Sequence, residues 1–283
     1  MMMETGQHGF MVWMLVPVLL VVLAAGFLGY QLRPAPKSAL ERLQPGNRFR
    51  IDENPADLPS STEPEDLLIV IPDISGYTRF MSLSKLGLAH AHYVIAQLLA
   101  AVLKAGSVTF RPMRLEGDAV VFYASVSKTG PVDVGRALME IMQAFDTRQD
   151  SLIRENACPC QACTAIGELD LKIIVHHGEV LRFSMGGMED LSGEAIITAH
   201  RLLKNGVGQP RYILVTEGTS PFVDFQKDLQ QRRLTEELDS SGTINATAYD
   251  IPRTAPLAHG DLLSVPNLPA RAKDLVRKLS IAF

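Results

Sequence analysis

The sequence is poor in cysteine and has no excess of basic residues. Its 283 residues include three cysteines and one tryptophan, and 27 Lys and Arg stand against 31 Asp and Glu, which gives a formal net charge of −4. Three cysteines cannot close the disulfide framework of a small secreted domain. The acidic balance argues against duplex nucleic acid as the main partner, because phosphate binding needs a basic face. Hydrophobic residues make up 47% of the chain, which excludes a fully disordered protein.

Charge is absent altogether from one long segment near the N-terminus. Residues 9–30 contain no Asp, Glu, Lys or Arg, and about 20 apolar residues are enough for a helix to cross a hydrocarbon core of ~30 Å. No Lys or Arg precedes the segment, which is longer than the apolar part of a signal peptide, about 7–15 residues. We therefore predict a short tail over 1–8 and a retained transmembrane helix over 9–30 that contacts membrane lipid.

Basic residues follow the predicted span and set its orientation. They are Arg33, Lys37, Arg42, Arg48 and Arg50. The positive-inside rule places the bulk of the chain in the cytoplasm, where thiols remain reduced and unpaired cysteines are expected. We predict a single-pass protein of the inner (cytoplasmic) membrane, with a Pro-rich linker over 31–65, a globular domain over 66–255 and a C-terminal tail over 256–283.

The globular part has the patterns of a mixed α+β fold. Apolar runs and periodicity predict strands over 67–72, 212–216 and 246–251, helices over 88–104, 132–155 and 193–204, and hairpins over 108–126 and 169–183. The first hairpin has an acidic tip, Glu116-Gly117-Asp118, and the second turns around Gly178-Glu179. Because the hairpins interrupt strict alternation of strand and helix, we predict an α+β fold with helices on one face of a mostly antiparallel sheet.

Two carboxylates stand where predicted strands end. Asp73 follows the first buried strand, and Asp118 lies at the tip of the first hairpin. If these strands are neighbours, both carboxylates lie on one rim, where they could hold Mg²⁺ together with the phosphates of a nucleotide. Gly76 would let backbone N–H groups approach those phosphates. The alternative is that each Asp is an ordinary turn or helix-cap residue.

Four segments resemble the motifs of the class III nucleotidyl cyclase catalytic domain, in the family's order. They are LLIVIPDISGYTRF (67–80), RLEGDAVVFYA (114–124), LKIIVHHGEVL (171–181) and DLSGEAIITAHRLL (190–203). With its HAHYVIAQLL helix and cysteine-bearing insert, the chain resembles in particular an uncharacterised bacterial branch of this superfamily. The resemblance implies a ferredoxin-like domain that works as a head-to-tail homodimer with active sites at the interface.

The resemblance also implies a role for individual residues. Catalytic roles fall on Asp73, Asp118 and Arg201, the last supplied by the partner subunit. Ligation of Mg²⁺ or Mn²⁺ falls on Asp73, Ile74 and Asp118. Contacts with the substrate, ATP or GTP, fall on Gly76, Tyr77, Thr78, Arg114 and Asp190, the last two at the base.

Two positions depart from the family pattern. Arg114 stands where the family has Lys, and its planar guanidinium differs in shape from an ammonium. Ile197 replaces the Asn that orients the ribose, and isoleucine neither donates nor accepts a hydrogen bond. Two functions therefore stay open: a cyclase that releases cyclic nucleotide and pyrophosphate, or a weakly active or inactive domain that binds a nucleotide or a protein partner in signalling.

The three cysteines form one short cluster. Cys158, Cys160 and Cys163 fall between a predicted helix and a predicted strand. Thiolates at this spacing bind Zn²⁺, with His176 or His177 as a fourth ligand if the fold brings it near. The alternative is a reduced or redox-active thiol patch. A redox or metal sensor is therefore a third possible function.

Overall fold

The structure, a computed structural model, describes residues 63–82, 85–185, 188–238, 242–253 and Asp274. The predicted transmembrane helix, nearly all of the predicted linker and nearly all of the predicted tail lie outside these residues. The helices and strands, in chain order, are β1 (Glu65–Ser75), α1 (Tyr77–Met81), α2 (Lys85–Gly106), β2 (Arg111–Glu116), β3 (Ala119–Ser125), α3 (Pro131–Glu155), α4 (Gln161–Thr164), β4 (Asp170–Met185), β5 (Met188–Ser192), α5 (Glu194–Arg201), β6 (Tyr212–Thr216), β7 (Gln231–Leu238) and β8 (Gly242–Tyr249).

The strands form one mixed sheet. Its order is β2-β3-β1-β4-β6-β8-β7, and β5 pairs with β4 beside this path. Every described pair of strands is antiparallel except β4 with β6. The predicted α+β class with a mostly antiparallel sheet is confirmed. β1 lies in the centre, between β3 and β4.

Helices cover both faces of the sheet, so the prediction of one covered face is wrong. The side chains of Leu68 and Val70 on β1 join the core formed with α2 and α3. Those of Leu67 and Ile69 join a second core with α5. β1 is buried at successive positions because both of its faces are packed, which is what an unbroken apolar run in a central strand indicates.

The predicted hairpin over 169–183 is also wrong. β4 runs without a break through Gly178 and pairs with β1 from Asp170 opposite Ser75 to Val180 opposite Glu65. A Cβ atom at Gly178 would lie 2.9 Å from the Cβ of Ala195 on α5. Gly178 therefore marks the close approach of a helix to the strand, which is one established use of glycine within a strand.

Two further features of the fold bear on the predictions. Among the described residues, Leu88–Gly106 of α2 is a helix long and apolar enough to cross a membrane, but Val94, Leu98 and Val102 on it are fully buried in the core. The edge strand β7 was not predicted, because its sequence QRRLTEEL has exposed and half-exposed side chains in alternation and lacks an apolar face.

Candidate functional site

The strand register brings Asp73 and Asp118 together. Asp73 lies opposite Ala119 on β3 and opposite Lys172 on β4. Asp118 immediately precedes β3, and its backbone oxygen accepts a hydrogen bond of 3.2 Å from the N–H of Ile74. The two carboxyl groups are within hydrogen-bonding reach of each other. Two residues that lie 45 positions apart in sequence thus occupy one rim of the sheet.

Negative charge accumulates at this rim. Burial and the charge of Asp73 together raise the pKa of Asp118 to about 6. The ammonium of Lys172 lies 3.0 Å from Asp73 Oδ2 and offsets part of the repulsion. One ammonium does not neutralise two carboxylates, and carboxylate oxygens are the ligands that Mg²⁺ and Mn²⁺ prefer. The residues present therefore fit a divalent cation.

Lys172 is a part of this site that sequence reasoning missed. Besides its ion pair with Asp73, its ammonium donates a hydrogen bond of 2.9 Å to the backbone oxygen of Leu203, just after α5. The signal was a lysine inside the apolar run LKIIV, since a lysine in a central strand needs a carboxylate partner. Only the register of β1 with β4 identifies that partner as Asp73.

A second polar cluster assembles around Arg114. Its guanidinium donates to Asp190 on β5 and to Glu116 on the same strand, and its Nη2 lies 3.4 Å from Nε2 of His200 on α5. His200 Nδ1 in turn lies 3.3 Å from Glu116 Oε2. All four side chains are partly exposed, so a planar donor array and carboxylate acceptors face solvent together. Arg114 and Asp190 were predicted as site residues, whereas Glu116 and His200 were not.

The remaining predicted substrate and transition-state residues lie at helix ends. Gly76 has φ = 87° and precedes Tyr77 and Thr78, the first residues of α1. Arg201 ends α5. One turn earlier, Ile197 exposes 49% of its surface, a high value for an isoleucine.

The cysteines converge as a group, but not with the predicted histidines. Cys158, Cys160 and Cys163 meet His90 of α2. His176 Nδ1 lies instead 2.9 Å from Thr216 Oγ1, and His177 Nε2 lies 2.6 Å from Asp66 Oδ1. The prediction that His176 or His177 supplies the fourth zinc ligand is therefore wrong, because β4 carries both side chains to other partners.

We expect the His176→Gln variant to lose less stability in acid than the wild type. Burial and the neighbouring His177 lower the pKa of His176 to about 4, against a weaker opposing effect of Glu194. An unfolded histidine binds its proton near pH 6.5, so acidification from pH 6.5 to 4 favours the unfolded chain by up to about 3 kcal/mol. Glutamine cannot titrate, and it retains a hydrogen bond donor for Thr216.

Thermal unfolding at pH 7.0 and 4.5 measures this effect. The drop in Tm should be several degrees smaller for His176→Gln than for the wild type, and His92→Gln, which changes an exposed histidine of α2, should behave as the wild type does. Equal drops in Tm for all three proteins would contradict the lowered pKa of His176.

Comparison with known protein families gives two matches. A family model described as "Protein of unknown function (DUF2652)" matches residues 95–212. "Uncharacterized protein Rv2561/Rv2562" of Mycobacterium tuberculosis (strain ATCC 25618 / H37Rv) is 28% identical over 157 residues, which are 56% of this chain and 73% of that protein. Both matches agree with the predicted resemblance to an uncharacterised branch.

Solved structures decide the fold. A structure of a bacterial light-regulated adenylyl cyclase superposes with a TM-score of 0.52 at 14% identity, over 98% of this chain and 72% of that chain. A second structure so described gives 0.51 at 12% identity, over 78% of this chain. The chain has the fold of a class III nucleotidyl cyclase domain. It spans 57% of the length of the second structure.

The cyclase fold accounts for the order of the four sequence motifs. Two of them contain the carboxylates of Asp73 and Asp118, which β1 and β3 bring to one rim. The other two supply Lys172, on β4, and Asp190, on β5. Each motif thus contributes a polar side chain to one of the two clusters.

Proposed function

We propose that this chain is a membrane-anchored nucleotidyl cyclase that converts ATP or GTP into a cyclic nucleotide and pyrophosphate. The observation that supports this proposal is that the fold brings Asp73 beside Asp118, and Arg114 beside Asp190. The proposal includes a homodimer, an anchor over residues 9–30 and a catalytic domain in the cytoplasm. The cyclase fold and the order of the motifs support it.

The reaction joins the ribose 3′-hydroxyl to the α-phosphate and releases pyrophosphate. Asp73 and Asp118 would hold Mg²⁺ or Mn²⁺, which when bound supplies positive charge to activate the hydroxyl and to neutralise the leaving group. Lys172 keeps the Asp73 carboxylate in place through its ion pair and its hydrogen bond to Leu203. Arg201 of a partner subunit would stabilise negative charge on the transferring phosphate.

The Arg114 cluster would bind the base. A guanidinium offers several N–H donors in one plane, and a carboxylate offers acceptors, so Arg114 and Asp190 together complement the mixed edge of a purine. Their mutual ion pair keeps both groups at the surface in fixed orientations. Glu116 and His200 limit the rotation of Arg114, because they contact different nitrogens of its guanidinium, Nε and Nη2.

A second candidate function is nucleotide binding without turnover. Ile197, half-exposed on α5, occupies the position at which the resemblance implies a ribose-orienting Asn. Misplacing a reacting group by about 1 Å can cost about 100-fold in rate. An apolar residue at this position favours a sensor that binds the nucleotide at the membrane and signals through its partner.

The experiment uses the full-length chain, purified in detergent and incubated with ATP or GTP and Mn²⁺. Mass spectrometry follows cyclic product and pyrophosphate, and the control is the Asp73→Asn/Asp118→Asn double variant. Product in the wild type that vanishes in the double variant is the expected result. Nucleotide binding that requires Mn²⁺, without product, would instead establish the second function. Absence of both turnover and binding would overturn both candidates.

A further inference from the structure

Three cysteines and one histidine converge at a point that the proposed cyclase chemistry does not use. Cys158 and Cys160 lie in the segment that joins α3 to β4, and Cys163 lies in α4 of the same segment. His90 belongs to α2, 68 residues or more away in sequence. One ligand atom from each of the four residues lies within 4.8 Å of all the others.

The distances are those of four ligands around one ion. His90 Nδ1 lies 3.4 Å from the Sγ of Cys160, 3.5 Å from that of Cys158 and 3.8 Å from that of Cys163. A tetrahedral Zn²⁺ with Zn–S bonds of about 2.3 Å and a Zn–N bond of about 2.0–2.1 Å separates nitrogen from sulfur by about 3.6 Å. The three observed distances bracket this value.

Hydrogen bonding alone does not account for the arrangement. A neutral imidazole nitrogen carries either one proton or one lone pair, so Nδ1 can make one good hydrogen bond and not three. Three sulfur atoms around one imidazole nitrogen are a ligand set that suits a thiophilic cation such as Zn²⁺.

We propose that His90 Nδ1 and the Sγ atoms of Cys158, Cys160 and Cys163 bind a single structural Zn²⁺. Four protein ligands close a tetrahedral site and leave no position for a substrate, which is typical of structural rather than catalytic zinc. The ion joins α2 to the segment between α3 and β4. Cys163 is buried, and Cys158 and Cys160 are half-buried, so solvent reaches the site only in part.

The joined segment contacts several parts of the fold. The buried amide of Gln149 donates to the backbone oxygens of Ile166 and Leu169 at 2.8 and 2.7 Å. A Cβ atom at Gly76 would lie 3.3 Å from the backbone oxygen of Glu168, and the Ala157 N–H lies 3.4 Å from Asp274 Oδ2. Zinc therefore stabilises a segment that packs against the Gly76 turn and against a residue of the tail.

The test compares zinc content in the wild type, His90→Ala, Cys160→Ser and His92→Ala. The full-length proteins are purified in detergent without chelator, and zinc is counted by inductively coupled plasma mass spectrometry. We expect about one zinc per chain in the wild type and in His92→Ala, since His92 is an exposed histidine of the same helix, and at least a fivefold loss in the other two. Circular dichroism verifies that each variant is folded.

A second measurement on the wild type does not depend on the folding of any variant. Replacing zinc by Co²⁺ should give the intense visible bands of tetrahedral cobalt and a thiolate charge-transfer band near the ultraviolet. Removing the metal with a chelator should lower Tm by several degrees, because all four ligands come together only in the folded chain.

Three results would overturn the proposal. They are negligible zinc with no cobalt thiolate band in the wild type, equal loss of zinc in His92→Ala and His90→Ala, or a disulfide among the three cysteines of the metal-free protein as purified. The last result would establish a redox-active thiol patch. None of the measurements involves nucleotide, so failure here is distinguishable from failure of the proposed cyclase function.

Discussion

Replacing Asp118 by Asn should lower product formation on the order of 100- to 1,000-fold, the range found when one group that stabilises transition-state charge is removed. The same substitution should raise the Tm of the metal-free protein by a few degrees. Both effects have one cause: the burial of Asp118 and the neighbouring charge of Asp73 oppose the ionisation of Asp118 and raise its pKa. The ionised Asp118 carboxylate that would bind a divalent cation thus destabilises the metal-free protein.

The contrast between activity and stability makes this prediction specific. Mn²⁺ should raise the Tm of the wild type and leave that of Asp118→Asn unchanged in thermal melts followed by circular dichroism. Asp133→Asn, which changes an exposed carboxylate at the start of α3, should alter neither activity nor the response to Mn²⁺. A variant Asp118→Asn that is both inactive and less stable would indicate a structural role for this carboxylate instead.

Replacing Arg211 by Met should lower the free energy of unfolding by about 3–5 kcal/mol, the usual cost of leaving a buried charge without its partner. Arg211 is only 10% exposed, and it pairs at 2.8 Å with Asp146 of α3 and with Asp170 at the start of β4, which are 5% and 15% exposed. Its Nε also donates to the backbone oxygen of Ile251 at 2.7 Å. Methionine would leave both carboxylates buried, and Arg253 reaches Asp170 only at 3.8 Å.

Urea denaturation followed by far-ultraviolet circular dichroism measures the loss. Arg136→Met is the matched control, because Arg136 pairs with Asp133 on the exposed face of α3, and exposed pairs contribute about 0–1 kcal/mol. Adding Asp146→Asn to Arg211→Met should recover part of the stability by removing one buried carboxylate that has lost its ion pair with Arg211. Equal effects of Arg211→Met and Arg136→Met would show that the buried network does not stabilise the fold.

Local patterns predicted the elements that carry strong periodicity. The apolar run before Asp73 and the long amphipathic sequence of α3 were sufficient for a strand and a helix, and the acidic tip at Asp118 was sufficient for a hairpin. The pairing of the two carboxylates followed from the additional assumption that their strands are neighbours. The resemblance to the cyclase motifs supports that assumption, and the pairing of β1 with β3 confirms it.

Long-range register decided what the sequence could not. Lys172 meets Asp73 only because β4 pairs with β1 in one particular register, and His90 meets the cysteines only because α2 packs against α4. A glycine such as Gly178 is compatible both with a hairpin turn and with a continuous strand that a helix approaches closely. In each case the missing information was a contact between residues far apart in sequence, which spacing alone does not contain.

The continuity of β4 has a consequence for how the chain could change in length. This one strand carries Lys172 opposite Asp73, Gly178 beneath α5, and Phe183 opposite Asp190. Side chains alternate between faces, so one residue inserted between Lys172 and Gly178 would turn every later side chain to the other face. Variants that keep both clusters must therefore keep the number of residues along β4, and insertions or deletions are expected to be tolerated only in the loops beyond its ends.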